Sequence, residues 1–398
     1  MIKLCDSEKC CGCTACASAC TRGAINMYED EEGFLQPFVN ESKCVDCGLC
    51  RKVCPVINKP IVNHDGVKHL FAIQNKNNAV REQSPSGGFF SLLATCFIDQ
   101  LGGYVCGAVF SDGLVVKHLL TNDIKEIPRF SGSKYVQSDI RGIYRQISKL
   151  LKNGEKVLFS GTPCQVNGLV RYLRKPYSNL FTVELVCHGV PSPKYWKTYL
   201  EYQQNVFGSP VIKANFRSKK YGFKSSSLML KFENGRVYYG SHDSDFMLRP
   251  FSQNESLRWS CYSCNFKGAE RTADYTIYDG WHIGIWNKSM NDDKGTTLVY
   301  CHNDKAYNLF LRNADFMKVQ EVSVEDPWAI RDAIMMYNQP KVGSKRNLIY
   351  KVLATDGFYC MAKQILPITL KLKIKILAKR FLGAVGVMSI IGKIKSLH

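Results

Sequence analysis

The sequence predicts three consecutive parts: a short α+β domain rich in cysteine, an α/β domain with a largely parallel sheet, and a helical, basic C-terminus. Ten of the 18 cysteines lie within residues 5–54. Strand-like and helix-like segments then alternate over residues 66–305, which is typical of parallel sheets. Residues 341–398 carry +11 of the net charge of +19. We therefore expect domain boundaries at residues 1–60, 66–305 and 306–398.

Composition indicates a folded protein that stays inside the cell. The hydrophobic fraction is 45% and charged residues make up 22%, so disorder is not expected. The first residues lack the apolar core of a signal peptide, and no uncharged apolar run reaches about 18 residues. We expect a cytoplasmic location. In a reducing compartment, clustered cysteines are more often metal ligands than disulfides.

The N-terminal cysteines form an internal repeat. Cys10, Cys13, Cys16 and Cys20 have the spacing C-x2-C-x2-C-x3-C, and the same spacing recurs 34 residues later. This is the pattern of bacterial ferredoxins, in which three cysteines hold one [4Fe–4S] cube and the fourth holds the other. The predicted ligands are Cys10, Cys13, Cys16 and Cys54 for one cluster, and Cys44, Cys47, Cys50 and Cys20 for the second.

Two zinc sites are the alternative, but zinc usually takes two separated C-x2-C pairs, which fits this repeat less well. The residues between the two runs fit the short hairpin of a ferredoxin-like α+β domain. Cys5 and Cys11 fall outside the repeat, and we expect both to be spectators.

Two strand–loop–helix units follow in the α/β part. Residues 156–160 and 181–186 read as strands, and helices begin at residues 166 and 194. In a parallel sheet, Cys164 and Cys187 would both lie just beyond the carboxyl ends of strands, at the edge where such sheets bind ligands. Cys261 and Cys264 form a further C-x2-C pair that needs two more ligands. A third four-cysteine cluster, a zinc site, a redox-active dithiol and plain structural cysteines all remain open.

Ser86-Gly87-Gly88 precedes an apolar, helix-like run over residues 89–100. A serine and two glycines before a helix expose backbone N–H groups, which favour an anion. The alternative is an ordinary capped helix.

These segments together resemble the coenzyme F420 hydrogenase/dehydrogenase beta-subunit family with a fused N-terminal 2[4Fe–4S] ferredoxin domain. The resemblance covers residues 1 to 305. The stretches that carry it are Ser86-Gly87-Gly88, Gly132-Ser133-Lys134-Tyr135, Phe159-Ser160-Gly161-Thr162-Pro163-Cys164-Gln165, Cys187-His188-Gly189-Val190-Pro191-Ser192, Phe216-Arg217-Ser218-Lys219 and residues 261–266.

The resemblance implies that the α/β domain is flavin-binding and holds FAD beside a third [4Fe–4S] cluster. Cys164, Cys187, Cys261 and Cys264 would hold that cluster. The flavin pyrophosphate would lie against backbone amides near Ser86, Gly87 and Gly88. The remaining cofactor-binding residues implied are Ser133, Lys134 for positive charge, Tyr135 as an aromatic contact, Gly161, Thr162 and Gln165.

His188 would line the redox face and is one candidate catalytic residue. Two of these assignments have plain alternatives: Lys134 as a solvated surface lysine, and His188 as a side chain bonded to a neighbouring carbonyl. The family often carries Asp-Phe-Trp-Gly after its C-x2-C pair, whereas this chain has Asp279-Gly280-Trp281-His282. His282 is therefore a second candidate catalytic residue, a substrate-facing proton donor, with a structural role as its alternative. The substrate is the point that this departure puts in doubt.

The sequence thus predicts an iron–sulfur flavoprotein oxidoreductase that passes electrons from ferredoxin-type clusters to FAD and an organic substrate. Coenzyme F420 and a polysaccharide or sugar precursor are the substrates considered. The alternatives are an electron-transfer subunit that feeds a partner enzyme, and a regulatory iron–sulfur protein without flavin. A redox partner protein is expected and nucleic acid is not. The basic residues 363–398 suggest either peripheral membrane contact or a docked pair of helices.

Overall fold

The computed structural model describes residues 2–58, 62, 68–367 and 374. Its strands are β1 (Ile25–Glu29), β2 (Leu35–Val39), β3 (His69–Asn75), β4 (Tyr104–Phe110), β5 (Val116–Thr121), β6 (Val157–Gly161), β7 (Leu180–Leu185), β8 (Val211–Ser218), β9 (Ser227–Phe232), β10 (Val237–Gly240), β11 (Tyr275–Asp279), β12 (Thr297–Cys301) and β13 (Met317–Val322). Most of the basic C-terminus predicted to touch a membrane lies outside the described residues.

The α-helices of the same residues are α1 (Ala15–Ala19), α2 (Leu49–Lys52), α3 (Asn78–Gln83), α4 (Phe89–Leu101), α5 (Ile127–Phe130), α6 (Ile143–Lys152), α7 (Pro163–Leu173), α8 (Pro193–Phe207), α9 (Leu248–Ser252), α10 (Trp259–Tyr262), α11 (Ile283–Trp286), α12 (Asp304–Arg312), α13 (Pro327–Asp332), α14 (Ile334–Tyr337), α15 (Arg346–Thr355) and α16 (Gly357–Ile365). In the part of the chain covered here, no helix combines the length and apolar character needed to cross a membrane.

The cysteine repeat of the N-terminal segment (residues 2–58) is also visible in its backbone. Each run begins a short helix, α1 or α2, and the residue before each helix is left-handed: Thr14 with φ 63° and Gly48 with φ 71°. Between the two runs, β1 and β2 pair antiparallel, with Ile25 opposite Val39. This α+β arrangement is the ferredoxin-like domain that the spacing predicts.

An eight-stranded mixed sheet forms the body of the molecule, in the order β13-β3-β12-β11-β7-β6-β4-β5. The four strands β11, β7, β6 and β4 are parallel neighbours, which confirms the α/β prediction for this block. Antiparallel strands extend the sheet on both sides, and β13 adds a strand beyond residue 305. Because β12 is antiparallel to both β11 and β3, the carboxyl ends of five strands meet at one edge.

A second sheet, β10-β9-β8, is antiparallel throughout. Its apolar face packs with α8, α15 and α16 in one core, in which Phe216, Leu230 and Tyr199 are fully buried. The core of the large sheet is formed by α4 and α12 with the central strands. The two sheets therefore have separate cores, and β8 leads from the smaller one toward the ligand-binding edge of the larger.

Three arginines bind the N-terminal segment to the α/β body. Arg145 donates to the carbonyls of residues 17, 18 and 20. Arg258 donates to the carbonyls of Cys10 and Leu35. Arg346 makes a bidentate ion pair with Glu32 at 2.5 Å. These bonds hold the cysteine-rich segment against the domain that carries the remaining site residues.

Candidate redox site

The structure brings together the first predicted cysteine group, Cys10, Cys13, Cys16 and Cys54. Burial raises the pKa of Cys16 to about 12, and the thiols of Cys10 and Cys54 raise it further. Cys13 interacts with both Cys10 and Cys16. Cys54 therefore reaches back to the first run, as the crossed ligand pattern of a dicluster ferredoxin requires.

The second predicted group is nearer the surface. Burial raises the pKa of Cys50, and the neighbouring thiols of Cys47 and Cys20 raise it further. Cys20 thus reaches forward to the second run. Cys47 is exposed and Cys44 is half-buried. The second group therefore lies at the solvent side of the N-terminal segment.

The third group combines cysteines from three separate segments. Cys164 lies in the first turn of α7, Cys187 follows β7, and Cys261 and Cys264 lie in and just after α10. Cys261 interacts with the other three thiols. Burial raises the pKa of Cys187 to about 12, and the thiols of Cys164 and Cys264 contribute to the rise.

The donor chemistry of this third group fits an iron–sulfur cluster. Four buried thiols without a positive partner stay protonated, because burial disfavours the thiolate. Bound iron supplies the missing positive charge, and thiolates are the ligands that such clusters take. Within residues 2–58 and 68–367, no three His, Cys, Asp or Glu side chains converge on a single metal ion. A [4Fe–4S] cube differs in that each of its four cysteines binds a separate iron.

Cys11, which the repeat leaves out, connects the first and third groups. Its thiol interacts with Cys13 on one side and with Cys164 on the other. The same junction is tight at α7, where a Cβ on Gly168 would lie 3.1 Å from the sulfur of Cys13. Spacing within the N-terminal run could not reveal this contact, because Cys164 lies far along the chain. Cys5 similarly interacts with Cys10 and Cys54.

A cavity of about 940 Å³ lies beside the third group. Its lining includes all four cysteines of that group, the first turn of α4, residues 130–138, and Trp281 with His282. This volume is at the upper end of the range for small-molecule and cofactor sites. Every predicted cofactor-binding residue except Gly87 is part of the lining.

The loop Ser86-Gly87-Gly88 is fixed by the start of β12. The Ser86 hydroxyl donates to the carbonyl of Thr296 at 2.5 Å, and the Gly87 N–H donates to the Thr297 hydroxyl at 2.8 Å. Gly88 is the left-handed residue before α4, with φ 86°. The N–H groups that stay available to a ligand are therefore those of the first turn of α4, because helix geometry gives them no acceptor within the helix.

The segment 132–135 forms another part of the wall. The Lys134 ammonium donates to three carbonyls, those of residues 129, 130 and 131, at 3.0 to 3.1 Å. Its charge therefore lies at the cavity wall while its donors are used within the loop. The Tyr135 ring stacks on Phe251 with centroids 4.5 Å apart. Ser133 lines the cavity between them.

Gly161, Thr162 and Gln165 shape the turn that presents Cys164. Thr162 and Gln165 form a capping box, in which the Gln165 side chain accepts from the Thr162 N–H at 3.0 Å. The Thr162 hydroxyl lies 3.1 Å from the sulfur of Cys164. A Cβ on Gly161 would be 3.0 Å from the Gln165 side-chain oxygen. These residues thus position a cysteine as well as line the cavity.

The two candidate catalytic histidines differ in their surroundings. His188 donates from Nε2 to the carbonyl of Phe251 at 3.1 Å, the alternative that its sequence position left open, and burial lowers its pKa. His282 donates from Nδ1 to Asp332 at 2.6 Å, which leaves Nε2 for another partner. Burial raises the pKa of Asp332 to about 6. No sequence pattern points to Asp332, which lies 50 residues after His282.

The fold and the cysteine groups define an iron–sulfur electron-transfer protein. The family model that describes the C terminus of the coenzyme F420 hydrogenase/dehydrogenase beta subunit matches residues 154–326. The 4Fe-4S dicluster domain matches residues 9–58. The chain belongs to the coenzyme F420 hydrogenase/dehydrogenase beta-subunit family and carries a dicluster domain at its N-terminal end.

Two curated relatives come from Methanocaldococcus jannaschii. An uncharacterized protein is 21% identical over 280 residues, which cover 61% of this chain and 75% of that protein. A coenzyme F420-dependent sulfite reductase is 25% identical over 192 residues, 47% of this chain but only 28% of that enzyme. Among solved structures, the F420-reducing [NiFe] hydrogenase complex from Methanosarcina barkeri matches with a TM-score of 0.46 and 15% identity, over 77% of this chain and 93% of the matched one.

Proposed function

We propose that the chain is an FAD-dependent iron–sulfur oxidoreductase that takes electrons at its dicluster domain and passes them, through a third [4Fe–4S] cluster, to FAD and an organic substrate. The observation that carries the proposal is the contact of Cys11 with Cys13 and Cys164. It joins the first cysteine group to the third on the wall of the large cavity. When bound, the clusters supply one-electron transfer and the flavin supplies hydride transfer.

The protein's part at the third group is to bind and to shield. Its four cysteines are the ligands, and their burial excludes water. Burial raises the pKa of Cys264, while the positive charges of Lys267 and Arg271 act against that rise and favour the thiolate. Lys267 also donates to the carbonyl of Cys187 at 2.6 Å, which fixes the loop after β7.

At the substrate end, His282 is the group placed to hold a proton. Asp332 accepts from both the His282 ring Nδ1, at 2.6 Å, and its backbone N–H, at 3.2 Å. This pair of bonds fixes the ring orientation and directs Nε2 away from the carboxylate. A histidine held in this way can donate or accept a proton at Nε2 near neutral pH. Coenzyme F420 is one candidate substrate, because a relative is named for its use. A polysaccharide or sugar precursor is the other.

A specific observation favours the second function, an electron-transfer subunit that feeds a partner enzyme. Cys47 of the second group is exposed. Tyr28, Phe38 and Val45 of the same N-terminal segment expose 57%, 60% and 60% of their surfaces. Apolar side chains exposed near a redox centre suit the docking of a protein partner. A redox partner is expected under both functions, and turnover of a small molecule by the purified chain distinguishes them.

The test is to purify the protein anaerobically and to count iron, sulfide and flavin per chain. We expect about 12 iron atoms and one FAD, which corresponds to three four-iron clusters. The variant C264S should retain about 8 iron atoms. The matched control C360S, in α16, should keep the full count. Wild-type protein with about 8 iron atoms and flavin would remove the third cluster from the proposal. Folded protein with iron and no flavin would reject the enzyme and favour a carrier or regulatory protein.

The predicted membrane contact of residues 363–398 stays a prediction, since only 363–367 and 374 belong to the described residues. Sedimentation with anionic liposomes, with and without this segment, tests it. Equal pelleting of the two forms would contradict membrane contact and favour the docked helices.

A further inference from the structure

One part of the cavity carries positive groups around a stacked pair of aromatic rings. Phe223 and Trp281 stack with centroids 4.5 Å apart and an interplanar angle of 22°. The guanidinium of Arg217, from β8, lies 5.4 Å from the Phe223 ring and 5.1 Å from the Trp281 ring. Lys224 follows Phe223, and Arg331 precedes Asp332. We call Arg217, Lys224 and Arg331 the cationic wall; all three line the cavity.

Arg217 is buried with unused hydrogen-bonding capacity. It is 8% exposed. Its Nη1 donates to Asp279 at 2.9 Å and approaches the Tyr135 hydroxyl at 3.5 Å. Its Nε and Nη2 are buried and have no acceptor among the described residues. Buried donors are nearly always paired in native proteins, so an unpaired guanidinium edge beside a cavity indicates an acceptor that a ligand supplies.

The other two cations of the wall also keep their donors available. Lys224 is half-buried, and within the described ranges its ammonium makes no hydrogen bond. Burial lowers its pKa, against the charges of Asp293 and Asp332. The exposed Arg331 lies 5.2 Å from the Trp328 ring. The two carboxylates in the cavity lining are already engaged, Asp279 by Arg217 and Asp332 by His282.

Other cations of the cavity lining are used by the protein itself. Lys134 donates to three loop carbonyls. Lys267 donates to the carbonyls of Cys187 and Met335. Arg258 uses all of its side-chain nitrogens on the N-terminal segment and Gln137. The contrast separates cations that hold the fold together from those of the cationic wall, which have donors to spare.

We propose that the cationic wall is a binding site for an oxyanion, a phosphate or carboxylate group of the ligand that occupies the cavity. Guanidinium groups suit such groups because they offer paired N–H donors. The proposal rests on the proposed function in that the oxyanion belongs either to the substrate or to FAD. The neighbouring His282 favours the substrate, because the anion would then anchor a molecule within reach of the proposed proton donor.

The test uses anaerobically purified holoprotein with the variants R217Q, R217K and K224Q, and the matched control K220Q at an exposed lysine of the same loop. FAD per chain is counted, and the binding of inorganic phosphate and pyrophosphate is measured by thermal shift and calorimetry. We expect phosphate to bind wild type and K220Q, and to bind R217Q and K224Q about tenfold more weakly, the effect of losing one charge-assisted hydrogen bond. R217K, which keeps the charge, should lie between them.

Each outcome is decisive. Unchanged FAD content with weaker phosphate binding assigns the site to the substrate. Lower FAD content, restored by excess FAD, assigns it to the flavin pyrophosphate. If all four variants match wild type in FAD content and phosphate binding, the proposal is overturned. K224Q keeps the test valid should R217Q fail to fold. Wild-type protein that lacks flavin but binds phosphate through these residues would reject the proposed function and leave the oxyanion site standing.

Discussion

Replacing Arg258 with glutamine should loosen the dicluster domain from the α/β body. Arg258 is 2% exposed. Its Nε donates to the carbonyl of Cys10 at 2.6 Å, Nη2 donates to the carbonyl of Leu35 at 3.0 Å, and Nη1 donates to the side chain of Gln137 at 3.2 Å. The guanidinium also lies 5.3 Å from the Phe34 ring. One side chain thus holds a cluster ligand and the β1–β2 hairpin at once.

The magnitude follows from these bonds. A hydrogen bond from a charged donor contributes about 1.5–3 kcal/mol net, and glutamine can replace at most one of the three. Returning the guanidinium to water recovers part of the loss, because burying a charge costs several kcal/mol. We therefore expect R258Q to lower the free energy of unfolding by about 3–5 kcal/mol, the usual cost of leaving a buried partner unpaired. R258K keeps the charge and one bond, so its loss should be smaller.

The assay is hydrogen exchange with mass spectrometry on anaerobic holoprotein, because exchange locates the loosened region. Protection in R258Q should fall first in residues 2–58. The control is R236Q, at an exposed arginine before β10, where a surface substitution should stay within about 0.5 kcal/mol. If peptides from residues 2–58 are as well protected in R258Q as in R236Q, the reasoning about these bonds is refuted.

Three other substitutions test the site. Because the pKa of Asp332 is raised from 3.8 to about 6, mainly by burial, the folded state binds its proton more tightly than the unfolded state does. Stability should therefore fall as pH rises from about 4 to about 6, and D332N should flatten that part of a melting-temperature profile; an unchanged slope would contradict this. A Cβ on Gly87 would lie 2.3 Å from a backbone oxygen, so G87A should lower FAD per chain, whereas G154A, whose Cβ meets nothing, should not. E32Q leaves Arg346, which is 1% exposed, without its charged partner, so urea unfolding should show a loss of about 3–5 kcal/mol; a midpoint within error of wild type would exclude it.

Local patterns account for what the sequence could predict. The cysteine runs place their ligands within one turn of backbone, so spacing alone indicates the first two groups. The strand predicted at 156–160 is β6, Val157–Gly161, and the one predicted at 181–186 is β7, Leu180–Leu185. Both predictions follow from apolar runs that end at loops with glycine. The position of Cys164 and Cys187 at the sheet edge then follows from the parallel pairing of these strands.

Contacts between distant segments account for what it could not predict. Cys11 meets Cys164, and His282 meets Asp332, only because separate elements pack together. The antiparallel strands β3 and β13 join the sheet through pairings that no local pattern encodes. The lost capacity of Lys134 is similar, since its three acceptors belong to a turn whose shape depends on the surrounding core.

Sheet topology explains why these parts meet in one cavity. In the order of the large sheet, β6, β7 and β11 are consecutive parallel strands. Cys164 follows β6, Cys187 follows β7, and His282 follows β11. Neighbouring strands lie about 4.8 Å apart, so the proposed points of electron entry and proton delivery are separated by only one or two strand widths. The next strand, β12, begins at the same edge with Thr297, which fixes Gly87 and the start of α4. A ligand held along this edge would therefore contact the third cysteine group, the first turn of α4 and His282 together, an arrangement that isolated sites on different faces of the sheet could not provide.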